Sequence, residues 1–235
     1  MNILLLHGSM SSSVQWYGYD EFLQPHNTLS IDLPGHGDLI DIPFTLRGAL
    51  DTIDEAVTHL HDTSDAGIVL VGHSLGGYIA LKYAAEYPTE LAGLVLIGAS
   101  ANPTGPLSVG YRGFAKLTEI IPHAPLKKTR DRVVAVLGIP TEKLAEDVNY
   151  EALPQAWRAV MEQCPPSLML GIQCPILLLN GQFDQMRVNE RQYLVLNPGA
   201  HLEIIPRATH LAPITHAEEV GETIRQFANA CAPPL

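Results

Sequence analysis

The chain has 235 residues, enough for one substantial core and within the size of a single large α/β domain. Hydrophobic residues make up 46% and charged residues 17%, which excludes intrinsic disorder. A formal net charge of −11 argues against non-specific nucleic-acid binding and against docking on anionic lipid, and no apolar run is long enough to span a membrane.

The start of the chain is apolar but lacks a basic leader and a cleavage site, and His7-Gly8 interrupts it at once. It reads as a buried strand over 3–6, not as a signal peptide. A weaker strand is expected over 28–32. Leu46, Leu50, Ile53, Val57 and Leu60 recur at spacings of three and four, which predicts a helix over 45–61. The run 68–71 is a third strand. A helix over 77–87 follows it, with Ala80, Leu81, Ala84 and Ala85 at helical spacing, and Pro88 stops it. The fourth strand is 94–97.

The rhythm then breaks. Between 101 and 166 no strand is legible. Helix-like pieces at 109–121, 127–137 and 150–163 are punctuated by Pro103, Pro106, Pro122, Pro125, Pro140 and Pro154. A structureless loop of that length inside a compact domain would be unusual, so 101–166 is expected to be a small helical insertion lying over the sheet. Strands at 175–179 and 202–205 resume the pattern, with a short helix at 190–196 between them. A last helix over 215–230 carries Val220, Ile224 and Phe227 on one face. Alternation of strand and helix predicts an α/β fold, a mostly parallel sheet with helices on both faces, built from 1–100 and 167–235.

Three cysteines, Cys164, Cys174 and Cys231, are an odd number without zinc-ligand spacing. They point to a reduced, cytoplasmic setting and require no disulfide.

The chemistry centres on Gly72-His73-Ser74-Leu75-Gly76, directly after the third strand and before a helix. This arrangement sets a serine on a sharp strand-to-helix turn with its hydroxyl held in one place. The flanking glycines are required because side chains there would collide. The helix N-terminus behind the serine favours developing negative charge. A serine hydroxyl needs a base, and the base needs an acid to orient it. Open α/β sheets place such groups at the carboxyl ends of their strands. Asp184 follows the fifth strand and His210 follows the sixth, giving the order serine, aspartate, histidine. Asp184 read by itself is equally a helix N-cap. His216 is a competitor for the base, expected in the first turn of the last helix and directed elsewhere. For an oxyanion hole the backbone N–H of Leu75 is one candidate, and the loop His7-Gly8-Ser9-Met10 offers the other, with Ser9 favoured and Met10 the alternative. His7 reads as a structural hydrogen-bonding residue, and His73 as packed or hydrogen-bonded beneath the turn.

Four motifs in order resemble those of the α/β-hydrolase superfamily, of the small cap-bearing, esterase-like kind: His7-Gly8, Asp32-Leu33-Pro34-Gly35-His36-Gly37, Gly72-His73-Ser74-Leu75-Gly76-Gly77, and Gly181-Gln182-Phe183-Asp184 ahead of His210. The resemblance covers nearly the whole chain. It implies that Ser74, Asp184 and His210 form a catalytic triad, that the loop after His7-Gly8 contributes to the oxyanion hole, and that a cap follows the fourth strand. It departs in two places. The sheet is expected to lack the N-terminal edge hairpin usual in the family, and the histidine loop reads Thr209-His210 where the family often has Gly-His.

The implied reaction is two-step acyl transfer on a small-molecule ester, with no metal or organic cofactor. The nucleophile is serine, which argues against the epoxide hydrolases and haloalkane dehalogenases that carry aspartate there. Carboxylesterases, thioesterases, lactonases, C–C bond hydrolases, perhydrolases and a lyase of menaquinone synthesis all share the serine framework. A catalytically silent ligand-binding module is the non-enzyme alternative. Met10, Tyr111, Phe114, Tyr150 and Trp157 are candidate lining residues of the pocket, with packing inside the cap as the competing role for the aromatic ones. Lys127, Lys128 and Arg130 read as a solvated face, with recognition of a substrate carboxylate as the alternative.

Overall fold

The computed structural model describes residues 1–105, Asn149 and residues 152–232. Within them six strands form one sheet: β1 (Asn2–Leu6), β2 (Asn27–Ile31), β3 (Ile68–His73), β4 (Gly93–Ile97), β5 (Ile176–Gly181) and β6 (His201–Ile205), in the order β2-β1-β3-β4-β5-β6. Every pairing is parallel. The four inner strands are buried throughout, as their unbroken apolar sequences demand, while the edge strands β2 and β6 are partly exposed.

Alternate residues of each strand feed two separate cores. Leu4, Leu6, Leu70, Leu96 and Leu178 pack with the buried stripes of α2 (Leu46–Thr63) and α3 (Leu75–Glu86). Ile3, Leu5, Val69, Val71, Val95, Ile97, Leu177 and Leu179 face the other way. They meet Tyr19 and Leu23 of the short α1 (Tyr19–Leu23), and Val220, Ile224 and Ala228 of the C-terminal helix. Thr45 opens α2 by accepting the N–H of Gly48 at 3.0 Å, a cap worth about 1 kcal/mol. α3 is buried nearly all round because α4 (Ala152–Gln163) covers the side away from the sheet.

Several boundaries differ from those the sequence suggests. β3 and β5 run two residues further, to His73 and Gly181, because the ladder continues to the turn through His73 opposite Ile97 and Gly181 opposite Ile205. α3 begins at Leu75, not at 77, directly after the serine. α5 (Glu190–Leu196) falls where expected. The last helix is two pieces, α6 (Ala212–Thr215) and α7 (Ala217–Cys231), broken at His216. The 3₁₀ turn Ser13–Trp16 and α1 were not legible, since each is too short to display a helical period. The pieces expected at 109–121 and 127–137 lie outside the described residues. No helix among the described residues is long and apolar enough to cross a membrane.

Candidate active site

Because all six strands run the same way, the loops after β1, β3, β4, β5 and β6 gather at one rim of the sheet. Ser74 sits there between β3 and α3 with φ 52° and ψ −113°, a left-handed conformation that L-residues seldom adopt. The turn is held by the Ser74 N–H donating to the Ile97 carbonyl at 2.8 Å and the Gly76 N–H donating to the His7 carbonyl at 3.2 Å. A β-carbon on Gly72 would run into the backbone of Gly76, and one on Gly76 would lie 2.5 Å from the His7 carbonyl oxygen. Both glycines are therefore set by backbone contact, as the spacing of the pentapeptide suggests.

The Ser74 hydroxyl lies 2.9 Å from Nε2 of His210, and Nδ1 of His210 lies 3.0 and 3.1 Å from the two carboxylate oxygens of Asp184. Ser74 and Asp184 are each 4% exposed, whereas the His210 ring keeps a face toward solvent. Burial alone would raise the Asp184 carboxyl, but the hydrogen bond and charge of His210 and the N–H of Met186 at 2.7 Å outweigh it, so the group stays below its ordinary value. Asp184 is thus both a cap and the partner of the histidine: it opens the 3₁₀ turn Gln185–Arg187 with one oxygen while receiving the imidazole. His216 does not compete. It lies at the joint of α6 and α7 with its Nδ1 against the Thr215 hydroxyl at 2.9 Å.

Five further residues that sequence reasoning did not single out shape this cluster. Gly98, with φ +57°, ends β4 directly against the Asp184–His210 pair. Beneath the Asp184 loop, the fully buried Asn180 donates to the Ser100 hydroxyl at 2.9 Å and to Glu190 at 3.2 Å. Glu190 in turn receives Nε and a terminal nitrogen of Arg187 at 3.0 and 2.8 Å, and Arg187 also donates to the Gln182 carbonyl at 3.0 Å. The guanidinium therefore ties both ends of the Asp184 turn to α5.

The loop after β1 is fixed by His7. Its Nε2 accepts the Leu33 N–H at 3.0 Å, and its Nδ1 donates to the Gly8 carbonyl at 2.8 Å. Burial, then His36, push this ring down to about 3, so it is neutral and structural. Met10 takes φ 59°. Among the described residues no acceptor is paired with the N–H of Ser9 or of Leu75.

Asn149 and the start of α4 rest on the loop after β2. Asn149 donates to the Ile40 carbonyl at 3.2 Å, and Ala152 presses on Gly35. Trp157 is 7% exposed and stands edge-on to Tyr78 of α3, 6.3 Å between ring centres, so it belongs to the packing of α4 on α3. Tyr111, Phe114, Tyr150, Lys127, Lys128 and Arg130 lie outside the described residues. Cys164, Cys174 and Cys231 are free thiols. Among the described residues no group of three His, Cys, Asp or Glu side chains is arranged to hold a metal ion.

A parallel sheet whose central strand turns sharply through a serine, with an aspartate and a histidine brought to it from later strands, defines a hydrolase architecture. The chain belongs to the alpha/beta hydrolase family, whose pattern matches residues 3–223. It is similar, at 27% identity over 96% of this chain and 89% of the relative, to a Bacillus subtilis protein provisionally called 2-succinyl-6-hydroxy-2,4-cyclohexadiene-1-carboxylate synthase. It is 28% identical, over 84% of this chain and 81% of the relative, to the pimeloyl-[acyl-carrier protein] methyl ester esterase of Neisseria meningitidis serogroup B. Among solved structures, a thermophilic esterase from Thermogutta terrifontis superposes with a TM-score of 0.80 at 25% identity, covering 99% of this chain and 91% of that one.

Proposed function

We propose that this protein is a serine hydrolase that cleaves a carboxylic ester, or a related acyl bond, of a small molecule through an acyl-enzyme. The observation that carries the reading is the unbroken contact from the Ser74 hydroxyl through the imidazole of His210 to the carboxylate of Asp184. In this scheme Asp184 accepts the Nδ1–H of His210 and fixes the tautomer in which Nε2 is bare. Nε2 takes the Ser74 proton as the oxygen attacks the ester carbonyl, and the N–H groups of Leu75 and Ser9 hold the oxyanion. Nε2–H then protonates the leaving alcohol. Water, deprotonated by the same nitrogen, releases the acid and restores Ser74. The sequence draws on no metal or organic cofactor.

The segment 101–166 forms a small cap over Ser74 in this reading. The seating of Asn149 on the Ile40 carbonyl and of Ala152 on Gly35 supports that, because it fixes one end of the segment to a loop at the catalytic rim. Met10, Tyr111 and Phe114 remain candidates for the pocket wall, and Trp157 backs it through Tyr78.

The names of two similar proteins, an ester-cleaving enzyme from Neisseria meningitidis and an esterase from Thermogutta terrifontis, support ester chemistry. A second reading, a lyase or C–C bond hydrolase on the same triad, is favoured by the similarity to the Bacillus subtilis synthase over nearly the whole chain. A fluorophosphonate probe tests the shared core of both readings: Ser74 is labelled, and Ser74→Ala is not. Graded p-nitrophenyl esters run beside a vinylogous diketone separate them. Ester turnover exceeding diketone turnover by about a hundredfold or more supports the first reading, and the reverse supports the second. A folded protein that resists the probe and turns over neither would be a ligand-binding module.

A further inference from the structure

His73 stands next to the nucleophile in sequence but points beneath it, 3% exposed. Its Nε2 lies 2.9 Å from the main-chain carbonyl oxygen of His210, and its ring stands 5.0 Å from the His210 ring at 41°. Its Nδ1 lies 3.1 Å from the side-chain oxygen of Gln15, which also receives the Gly8 N–H at 3.1 Å. Three loops therefore meet on one buried imidazole: the loop after β1, the serine turn, and the loop carrying His210.

We infer that His73 is a positioning residue, which donates its Nε2–H to the His210 carbonyl and so holds the base loop at the height where the His210 imidazole reaches Ser74. The inference rests on the proposed triad.

The hydrogen count supports this proton placement. Burial, then the neighbouring His210, hold the His73 ring neutral, with its pKa lowered to about 3, so one proton must serve two acceptors. The Gln15 oxygen already has a donor in Gly8, whereas the His210 carbonyl has no other donor among the described residues. A partly buried carbonyl left bare is costly, so the proton resides on Nε2. The bare Nδ1 then faces the Gln15 side-chain oxygen at 3.1 Å with no proton between them, which costs less than a bare His210 carbonyl because that oxygen already receives the Gly8 N–H. The chain of contacts makes the distance between the Gly8 loop and the His210 loop depend on this ring, and a displacement of about an ångström at a base is enough to lower turnover markedly.

The test compares His73→Leu, which fills the space without a donor, with His73→Gln, whose amide N–H reaches the same carbonyl, using p-nitrophenyl acetate. His73→Leu should lower kcat about tenfold or more with KM within about twofold, since His73 does not touch substrate, and His73→Gln should recover most of that loss. Wild-type kcat in a folded His73→Leu, or equal losses in the two folded variants, would overturn the inference. Imidazole nitrogen NMR on the unmutated protein provides a readout that needs no variant to fold. The expected result is a His73 ring that stays neutral and protonated on Nε2 from about pH 5 to pH 9, and a proton on Nδ1 would overturn it. A protein without hydrolytic activity whose His73 nevertheless shows the Nε2–H form would locate the failure in the triad, not in the hydrogen bond.

Discussion

Gly98 leaves its α-carbon bare directly against His210: a β-carbon there would lie 2.9 Å from Nδ1 of that ring and 2.8 Å from the Asp184 oxygen beside it. With φ +57°, the position is also one that L-residues resist. Gly98→Ala should therefore cost about 1–2 kcal/mol of stability through the backbone and lower kcat by about tenfold or more by prising the acid from the base. Urea unfolding and ester kinetics on the same preparation check both. Unchanged kinetics would mean that the Asp184–His210 contact tolerates displacement.

Removal of the reacting groups should affect chemistry without affecting folding. Ser74→Ala and His210→Ala are each expected to lower kcat by about a thousandfold or more, and combining them should add little, since the groups act as one unit. Asp184→Asn should be comparably severe because it presents an amide to Nδ1 and favours the wrong tautomer. His216→Ala should stay within about twofold, because its ring faces Thr215.

Acid should destabilise the fold at a pH well above that of ordinary carboxylate titration. His7 and His73 are fully buried and held neutral, with values lowered to about 3 from an ordinary 6.5. The unfolded chain binds these protons first, so the stability each contributes is complete above about pH 6.5 and is lost progressively toward pH 3. At pH 5 the loss is about 2 kcal/mol for each ring, and Tm should fall by about 10 °C between pH 7.5 and pH 5. Asp184, held below its ordinary value, has the same sign but acts at lower pH. A flat Tm across that interval would show that these rings are charged, or solvated, in the folded state.

The polar cluster beneath the acid loop should be structural first and catalytic second. Asn180→Ala leaves the buried Ser100 hydroxyl and Glu190 without their shared donor, at a cost of about 1–3 kcal/mol. The looser Asp184 turn should lower kcat severalfold with KM unchanged. Guanidinium denaturation and steady-state kinetics read the two effects separately.

Periodicity and turn chemistry carried most of this molecule in its sequence. The runs at β1, β3, β4 and β5 are uninterrupted because both faces of each strand are buried, and the serine turn is legible because Gly72 and Gly76 are forced by backbone contact. Asp184 and His210 were readable as the first chemically competent groups past their strands. What was hidden has a common cause. Gln15, Gly98, Ser100 and Asn180 act through contacts between loops distant in the chain, and neither a polar residue nor a glycine in such a loop announces its partner. His73 and His210 lie 137 positions apart in the chain, and only the parallel sheet brings them together. The split of the C-terminal helix at His216 was lost for a simpler reason, since its buried stripe of Val220, Ile224 and Ala228 begins only after the break.

The most direct measurement is the mass of the protein quenched within milliseconds of mixing with a short-chain p-nitrophenyl ester. A population heavier by one acyl group, with the added mass on the peptide containing Ser74 and none on Ser74→Ala, is the expected result. Ester turnover that persists in Ser74→Ala, or turnover by the unmutated chain with no acyl mass at residue 74 at any quench time, would contradict it.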